Sequence, residues 1–303
     1  MQSLTIIICT YNRGEMLGKC LESLANQDIS LEQVPVLVVD NNSKDNTQEV
    51  ALSFVPRLPS LRVAFEPKQG LSFARNKGLA EADTDWVAYL DDDAKARPDW
   101  ARVILQTINS DDFDIFGGPY TAWHHFGPPP KWFDARWGAY AGSQGYGLLQ
   151  PPTYIPGGNS ALKRAWALEL GGFSHKLGMR GAGCAYGEET ALFDAMQNAG
   201  ARLGFVPEMI IEHCVLPYKY TLRWQLKSAF ARGRSWQKVS EAKHGRSPFL
   251  PLLWRFGVSC FLSPGKLAVR IARKKKTEHW KRIFFDVMRV PFVYAGRVAA
   301  FLS

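Results

Sequence analysis

The last 88 residues, Leu216 to Ser303, contain only three acidic side chains against 19 lysines and arginines. A net +16 over that length excludes an ordinary charge-balanced surface and points to an anionic surface as its partner. The preceding residues carry 18 basic and 25 acidic side chains, a net −7, so the overall +9 conceals two regions of opposite sign. Cysteine is scarce as well. Cys9, Cys20, Cys184, Cys214 and Cys260 are scattered, odd in number and without a Cys-x-x-Cys pair. That excludes a disulfide framework or a thiolate zinc site and suits a reducing compartment. Met1-Gln-Ser-Leu-Thr5 has no charged segment leading into an apolar one, so no cleaved signal peptide is expected. Internal repeats and low-complexity tracts are absent. So is a glycine-rich phosphate loop after the first apolar run, which argues against a nucleotidyltransferase and a dinucleotide-dependent oxidoreductase.

What is present is a chain of 303 residues, 46% hydrophobic, long enough for one large domain and an appendage. Leu4 to Cys9 is a continuous apolar, β-branched run, as in a central strand buried on both faces. Met16 to Gln27 has helical spacing, with Met16, Leu17, Cys20, Leu21 and Leu24 on one side. Val34 to Val39 reads as a second strand, then a helix capped by Asp45 runs to about Phe54. Leu61–Phe65, a helix over Gly70–Ala82 carrying Arg75 and Asn76, and the strand Trp86–Leu90 follow. This alternation predicts an α/β domain with a mixed, mainly parallel sheet flanked by helices. Further on, a helix is expected over Asp99–Asn109, a strand over Phe113–Gly117, and helices over Arg164–Leu170 and Thr190–Ala199. Short strands are expected at Leu203–Val206 and Met209–Ile211.

The strand from Trp86 ends in Asp91-Asp92-Asp93. Adjacent carboxylates are costly to bury unpaired, so they belong at the open end of the strand, in a cleft. Oxygen donors in that setting suit a hard divalent cation, Mg²⁺ or Mn²⁺, whose other ligands are phosphate oxygens. Three strand-end loops, Thr10–Arg13, Asp40–Ser43 and Asp91–Asp93, fall on one rim, where ligands of such sheets bind. Asp40-Asn41-Asn42-Ser43 is also good turn chemistry, and an isolated Asp triplet also suits a solvated turn. From Pro119 to Pro156, aromatic residues including Trp132 interleave with Gly and Pro. They fit either core or an aromatic wall over a ligand. His124 and His125 within that segment fit structural or solvent roles. Gly157-Gly158 permits a close backbone approach to a ligand, and Asn159 offers hydrogen bonds to it. A glycine-rich loop, Gly178 to Gly187, is expected to move and delivers Glu188-Glu189 to a helix start, where acids are also favoured by the helix dipole.

In order, Ile8-Cys-Thr10-Tyr11-Asn12-Arg13, Val38-Val-Asp40-Asn-Asn42-Ser43, Gly70-Leu-Ser-Phe-Ala-Arg75-Asn76, Leu90-Asp91-Asp92-Asp93, Gly157-Gly158-Asn159-Ser160 and Gly187-Glu188-Glu189 strongly resemble glycosyltransferase family 2, over roughly residues 4–215. The resemblance implies the GT-A fold and transfer of a sugar from a UDP- or GDP-linked donor. It implies that Thr10, Tyr11, Asn12, Arg13, Asp40 and Asn42 hold the nucleotide, with Asp40 accepting from a base N–H. Arg75 would lie near the diphosphate. Asp91-Asp92-Asp93 matches the family's DXD motif, with Asp93 a direct metal ligand and Asp91 or Asp92 on the ribose or on metal through water. His213 would contact the metal or the diphosphate, or else be structural. Gly158, Asn159, Trp132 and Glu188 would face sugar or acceptor. Glu189 matches the catalytic base, with Glu where Asp is commoner.

This assigns residues 1–215 to a catalytic domain, with a nucleotide-sugar half about 1–118 and an acceptor half about 119–215. Residues 216–303 form a basic, mostly helical extension. There Arg223-Trp224 matches only part of the Gln-x-x-Arg-Trp motif of processive family members. Phe249 to Leu262 is apolar but broken by Pro251 and Arg255, too short to span a bilayer and better as an interfacial or re-entrant element. A polybasic cluster, Arg270 to Lys276, and an amphipathic stretch, Trp280 to Leu302, favour anionic lipid. The expectation is an inverting transferase at the cytoplasmic membrane face, peripheral or monotopic, with a lipid-linked or glycan acceptor and no nucleic acid partner. The same helices fit a subdomain packed on the body or a homo-oligomer interface. An inactive sugar- or lipid-binding protein is the remaining alternative.

Overall fold

The computed structural model describes residues 2–142, 145–150, 154–180, 183–245, 248–274 and 278–302. Of the polybasic cluster, Lys275 and Lys276 lie outside the described residues. Strands and helices alternate from the start: β1 (Leu4–Thr10), α1 (Gly14–Ala25), β2 (Val36–Asp40), α2 (Thr47–Ser53), β3 (Leu61–Phe65), α3 (Leu71–Glu81) and β4 (Trp86–Leu90). There follow β5 (Ala94–Ala96), α4 (Trp100–Ser110), β6 (Ile115–Gly117), β7 (Tyr120–Trp123), β8 (Gly147–Leu148) and β9 (Asn159–Lys163). After α5 (Arg164–Glu169) and α6 (Glu188–Asn198) come β10 (Leu203–Phe205) and β11 (Ile211–Cys214).

The main sheet has the order β3-β2-β1-β4-β9-β6-β10-β8. Its first four strands are parallel, while β9 runs antiparallel to both β4 and β6. A small sheet, β5-β11-β7, stands beside it. The expected mixed, mainly parallel sheet flanked by helices is thus observed. The apolar run in β1 has its physical reason here. Ile6 and Ile8 enter one hydrophobic core and Ile7 the other, so successive residues are buried on opposite faces. α1 lays Met16, Leu17, Cys20, Leu21 and Leu24 inward, as its spacing predicts.

Two compact units divide the chain, and they are not simple halves. The first comprises Met1–Trp123, Gly138–Lys176 and Glu188–Cys214; the second comprises His124–Trp137, Leu177–Gly187 and Val215–Ser303. In the second unit, α7 (Leu222–His244) packs on α9 (Trp280–Phe301), and α8 (Phe249–Ala272) packs on α9. Gly233 faces the Val293 carbonyl and Gly296 the Phe230 carbonyl, so α7 and α9 approach backbone to backbone. The apolar run that begins at Phe249 does not end at Leu262. It continues as one helix to Ala272, with Pro264 inside it. No helix among the described residues is long and apolar enough to cross a membrane.

Candidate active site

The rim at the carboxyl ends of β1, β2 and β4 collects the polar loops. Thr10 is paired with Asp40 in register, and Asp91 follows Leu90 directly. Asp40 is buried, and its Oδ1 accepts from Ser43 N at 3.0 Å. Asn12 and Asn42 have φ of 51° and 67°, the left-handed region that Asn tolerates better than most residues. Their side chains brace the rim. Asn12 Oδ1 accepts from Lys44 N at 2.7 Å, and Asn42 Oδ1 accepts from Lys44 Nζ at 2.7 Å. Thr10 is buried beneath this rim and Tyr11 is half-buried on it. Asn41, which the sequence did not single out, ties the loops together. It donates to the carbonyls of Glu66 and Lys68 and accepts from Gly70 N.

Arg13, on the same rim, bridges two of the three aspartates. Its Nη1 lies 2.8 Å from Asp92 Oδ1 and 2.9 Å from Asp93 Oδ2. Burial pushes the Asp92 carboxyl up to about 6, with the Asp93 charge adding to the effect and Arg13 opposing it. No sequence signal announces this bridge, because its partners are 79 and 80 residues apart.

Asp93 turns its other oxygen to His213, with Oδ1 at 3.3 Å from Nε2. β11 starts at Ile211, later than expected, and runs through His213. The Met209 carbonyl is already engaged by the Asn159 amide, and β11 pairs His213 with Ala94, the residue after Asp93. Ligand atoms of Asp91, Asp93 and His213 all lie within 4.8 Å of one another. Two carboxylates and an imidazole are a donor set that a divalent transition cation accepts. These residues therefore fit a metal of the Mn²⁺ type, and Asp92, held by Arg13, lies outside the trio.

Arg75 does not extend toward solvent. α3 buries it, because the face of that helix against the sheet is made of small residues, Ala74 and Gly78, with Leu79. Its guanidinium lies over Tyr89 and Phe173, with centroids 5.7 and 5.3 Å away. Three carboxylates surround it: Glu188 at 2.9 Å, Asp91 at 3.7 Å and Glu189 at 3.9 Å. Glu188 is buried, and desolvation together with the adjacent Glu189 charge pushes its carboxyl up to about 8, against the pull of Arg75. The enclosed Oε2 atoms of Glu188 and Glu189 have no hydrogen-bond partner among the described residues.

Gly157 and Gly158 are glycines because side chains press on them. A Cβ at Gly158 would overlap the Asp91 carboxyl. One at Gly157 would lie 2.8 Å from Glu189 Cβ and 3.0 Å from Arg75 Nη1. Asn159, expected to reach a sugar, is instead consumed by the protein. Its amide accepts from Trp100 Nε1 at 2.8 Å and donates to the carbonyls of Pro119 and Met209 at 3.0 and 2.7 Å. That satisfies both N–H groups of a fully buried amide and makes it a brace between β9, α4 and the β11 approach. Trp132 belongs to the second unit, buried edge-on against Phe133 and Trp137.

Known proteins resemble this chain in sequence and in fold. The family model described as "Glycosyl transferase family 2" matches residues 5–171. The chain is 29% identical over 248 residues to the succinoglycan biosynthesis protein ExoM of Rhizobium meliloti (strain 1021), covering 78% of this chain and 75% of that one. It is 24% identical over 239 residues to the glucosyl-dolichyl phosphate glucuronosyltransferase of Haloferax volcanii, covering 76% and 75%. Among solved structures, the mannosyltransferase PcManGT of Pyrobaculum calidifontis, in complex with GDP-Man and Mn²⁺, superposes with a TM-score of 0.64 at 18% identity, over 99% of this chain and 87% of that one. TarS 1-349 of S. aureus in complex with UDP-GlcNAc gives 0.58 at 15% identity, over 95% and 90%. At those identities the likeness shows the fold.

Proposed function

The chain belongs to glycosyl transferase family 2, and on that premise we propose an inverting transfer from a UDP- or GDP-linked sugar to an acceptor hydroxyl, with Glu189 as base. The observation that carries this reading is the position of Arg75. It lies between Asp91, a member of the cation trio, and the pair Glu188-Glu189, which puts a metal-ligating carboxylate and a candidate base on either side of one guanidinium. Asp40 offers a carboxylate to a base N–H on the rim, and the similar mannosyltransferase and TarS structures hold GDP-Man with Mn²⁺ and UDP-GlcNAc. A Mg²⁺ or Mn²⁺ ion held by Asp91, Asp93 and His213 would supply charge neutralisation for the departing diphosphate. Glu189 takes the proton of the acceptor hydroxyl as its oxygen bonds to the anomeric carbon and the bond from that carbon to the diphosphate breaks. Its enclosed Oε2 has no hydrogen bond to give up among the described residues, and Arg75 stands 3.9 Å away. Glu188 is committed to Arg75 and is the less suited of the two. Glu189→Gln keeps size and loses the proton acceptor. Donor binding measured by calorimetry is expected to survive while transfer falls by about 10²- to 10⁴-fold. Normal turnover by that variant beside a dead Glu188→Gln would move the role by one residue.

The acceptor we infer is lipid-linked or a growing glycan, met at the cytoplasmic membrane face. The support is chemical. α8 exposes Leu250, Trp254 and Phe261, the last 84% accessible, within a region of net +16. Apolar side chains among lysines and arginines suit an anionic interface. The name of the Haloferax relative also refers to a dolichyl-phosphate sugar. Replacing Trp254 and Phe261 by Ser, together with Arg273 and Lys274 by Gln, is expected to release the protein from phosphatidylglycerol vesicles in co-sedimentation. Undiminished binding would end the membrane reading.

A further inference from the structure

The second unit contains a pocket of about 520 Å³ that the donor chemistry does not use. Four arginines line it, Arg136, Arg270, Arg282 and Arg289, against two carboxylates, Asp134 and Asp286. All belong to this one unit, and none lies in a donor motif. We propose that this pocket receives the terminal phosphate or diphosphate of a lipid head group. The proposal draws on the membrane reading for the source of that group and is independent of the donor site.

The pocket is organised as anion sites usually are. Asp134 accepts from Arg136 at 2.6 Å and from Arg282 at 2.5 Å, and those two guanidinium groups hold its carboxyl well below the usual carboxylate range. The Arg282 guanidinium also lies 5.0 Å over the Trp137 ring. One carboxylate and one aromatic face therefore hold Arg282 in place, which lowers the entropic cost of using its remaining N–H groups. Its Nε is enclosed without a hydrogen bond among the described residues and stands 3.4 Å from Asp286. Arg270 is only loosely compensated, 3.4 Å from Glu278 and 3.8 Å from Asp286. Arg289 is exposed and has no ion pair among the described residues. Two more guanidinium groups than carboxylates line one space, and each offers a planar fork of donors matched to phosphate oxygens.

The neighbours of these arginines indicate what carries the phosphate. Val269 and Ile271 flank Arg270 in sequence, Val290 follows Arg289, and all three are exposed. Trp280, near the start of the helix that carries Arg282 and Arg289, is exposed too. Apolar side chains beside a phosphate-binding pocket suit a head group whose tail stays in the bilayer.

The test uses the full chain and flotation on phosphatidylcholine vesicles. One set carries phosphatidic acid, with a terminal phosphate, and the other phosphatidylglycerol, with a diester only, at matched surface charge. The wild type is expected to prefer the first by about tenfold or more, the worth of one strong charged hydrogen bond. Arg270→Gln with Arg289→Gln is expected to abolish the preference. Arg255→Gln with Lys266→Gln, the same charge change at exposed positions outside the pocket, is expected to keep it. In EDTA, which weakens the cation-dependent donor site, inorganic diphosphate is expected to raise the melting temperature of the wild type more than that of the pocket variant, and that excess is the pocket's diphosphate shift. That shift without any vesicle preference would assign the pocket to free diphosphate and overturn the lipid source. Equal vesicle binding with no diphosphate shift, or equal loss by both double variants, overturns the pocket while leaving the membrane reading intact. A diphosphate shift with no binding to either vesicle does the reverse.

Discussion

Arg75 Nη1 and Glu188 Oε1 form a buried ion pair at 2.9 Å, with both side chains 5% exposed and the residues 113 apart in sequence. Burying such a pair carries a desolvation penalty that close contact only partly offsets, whereas removing one partner strands the other. The pair joins α3 to α6 and so sets where Glu189 stands. Arg75→Met is expected to cost about 1–3 kcal/mol in urea unfolding at neutral pH, because it leaves the buried Glu188 carboxyl without its hydrogen-bond donor.

Glu188 also makes stability depend on pH. Its folded carboxyl is pushed up to about 8 by burial and by Glu189, above the ordinary value of 4.5. Between those values the folded state binds a proton that the unfolded state has released. Stability from this group is therefore full below about 4.5 and is lost as pH rises toward 8, with a steepest slope of about 1.4 kcal/mol per pH unit. Glu188→Gln removes the titration. The difference in unfolding free energy between wild type and variant is expected to move against the wild type from pH 5 to pH 8. A constant difference across that range would show that Glu188 is ionised in the fold.

The cation trio predicts a graded response to substitution. Asp93→Asn removes a ligand and one partner of Arg13, and His213→Ala removes the nitrogen donor. Each is expected to weaken Mn²⁺ binding, followed by the loss of the free-ion electron paramagnetic resonance signal on titration. The loss should be at least the 10- to 100-fold that outer partners of a metal site cost. Asp92→Asn, outside the trio, is expected to leave Mn²⁺ affinity within a few-fold. Equal losses at Asp92 and Asp93 would mean that the ion sits between those two carboxylates. Chelation with EDTA is expected to stop transfer, and added Mn²⁺ to restore it.

Gly158→Ala tests the close approach of backbone to carboxylate. The new methyl would occupy the Asp91 carboxyl position, so the side chain must rotate away. The stability cost is expected to be about 1–3 kcal/mol, the usual range for forcing one methyl into a packed site. Mn²⁺ affinity should fall by more than an order of magnitude, which an effect on folding alone does not produce. Retained affinity with lowered stability would show that Asp91 is not needed for the ion.

Much of the catalytic half was legible in the chain. The run Leu4–Thr10 is apolar at every position because the sheet is covered on both faces, and that pattern is local. Asp91 to Asp93 could be placed at a strand end because adjacent carboxylates have nowhere else to go. Asn159 misled for the same kind of reason. A polar side chain after two glycines resembles a ligand arm, yet its partners Trp100, Pro119 and Met209 come from three distant parts of the chain. The Phe249 helix was underestimated because Pro251 and Arg255 interrupt an apolar pattern without breaking a helix. Pro251 lies in its first turn, where no N–H partner is lost.

The amino-acid sequence by itself determined the alternation of strands and helices up to Leu90, the rim of polar loops and the opposite charge of the two regions, since each rests on neighbours a few residues apart; the short strands β5, β7 and β8 had no such local signal. Only the tertiary structure decided that Arg13 bridges Asp92 and Asp93, that His213 joins Asp91 and Asp93, and that Arg75 is enclosed by three carboxylates. It also decided that four arginines from the 124–137 segment, α8 and α9 share one pocket. Ion pairs and donor sets of this kind depend on distances of a few ångströms between residues scores of positions apart. Local propensity carries no record of such distances; folding the sheet and burying the charges sets them.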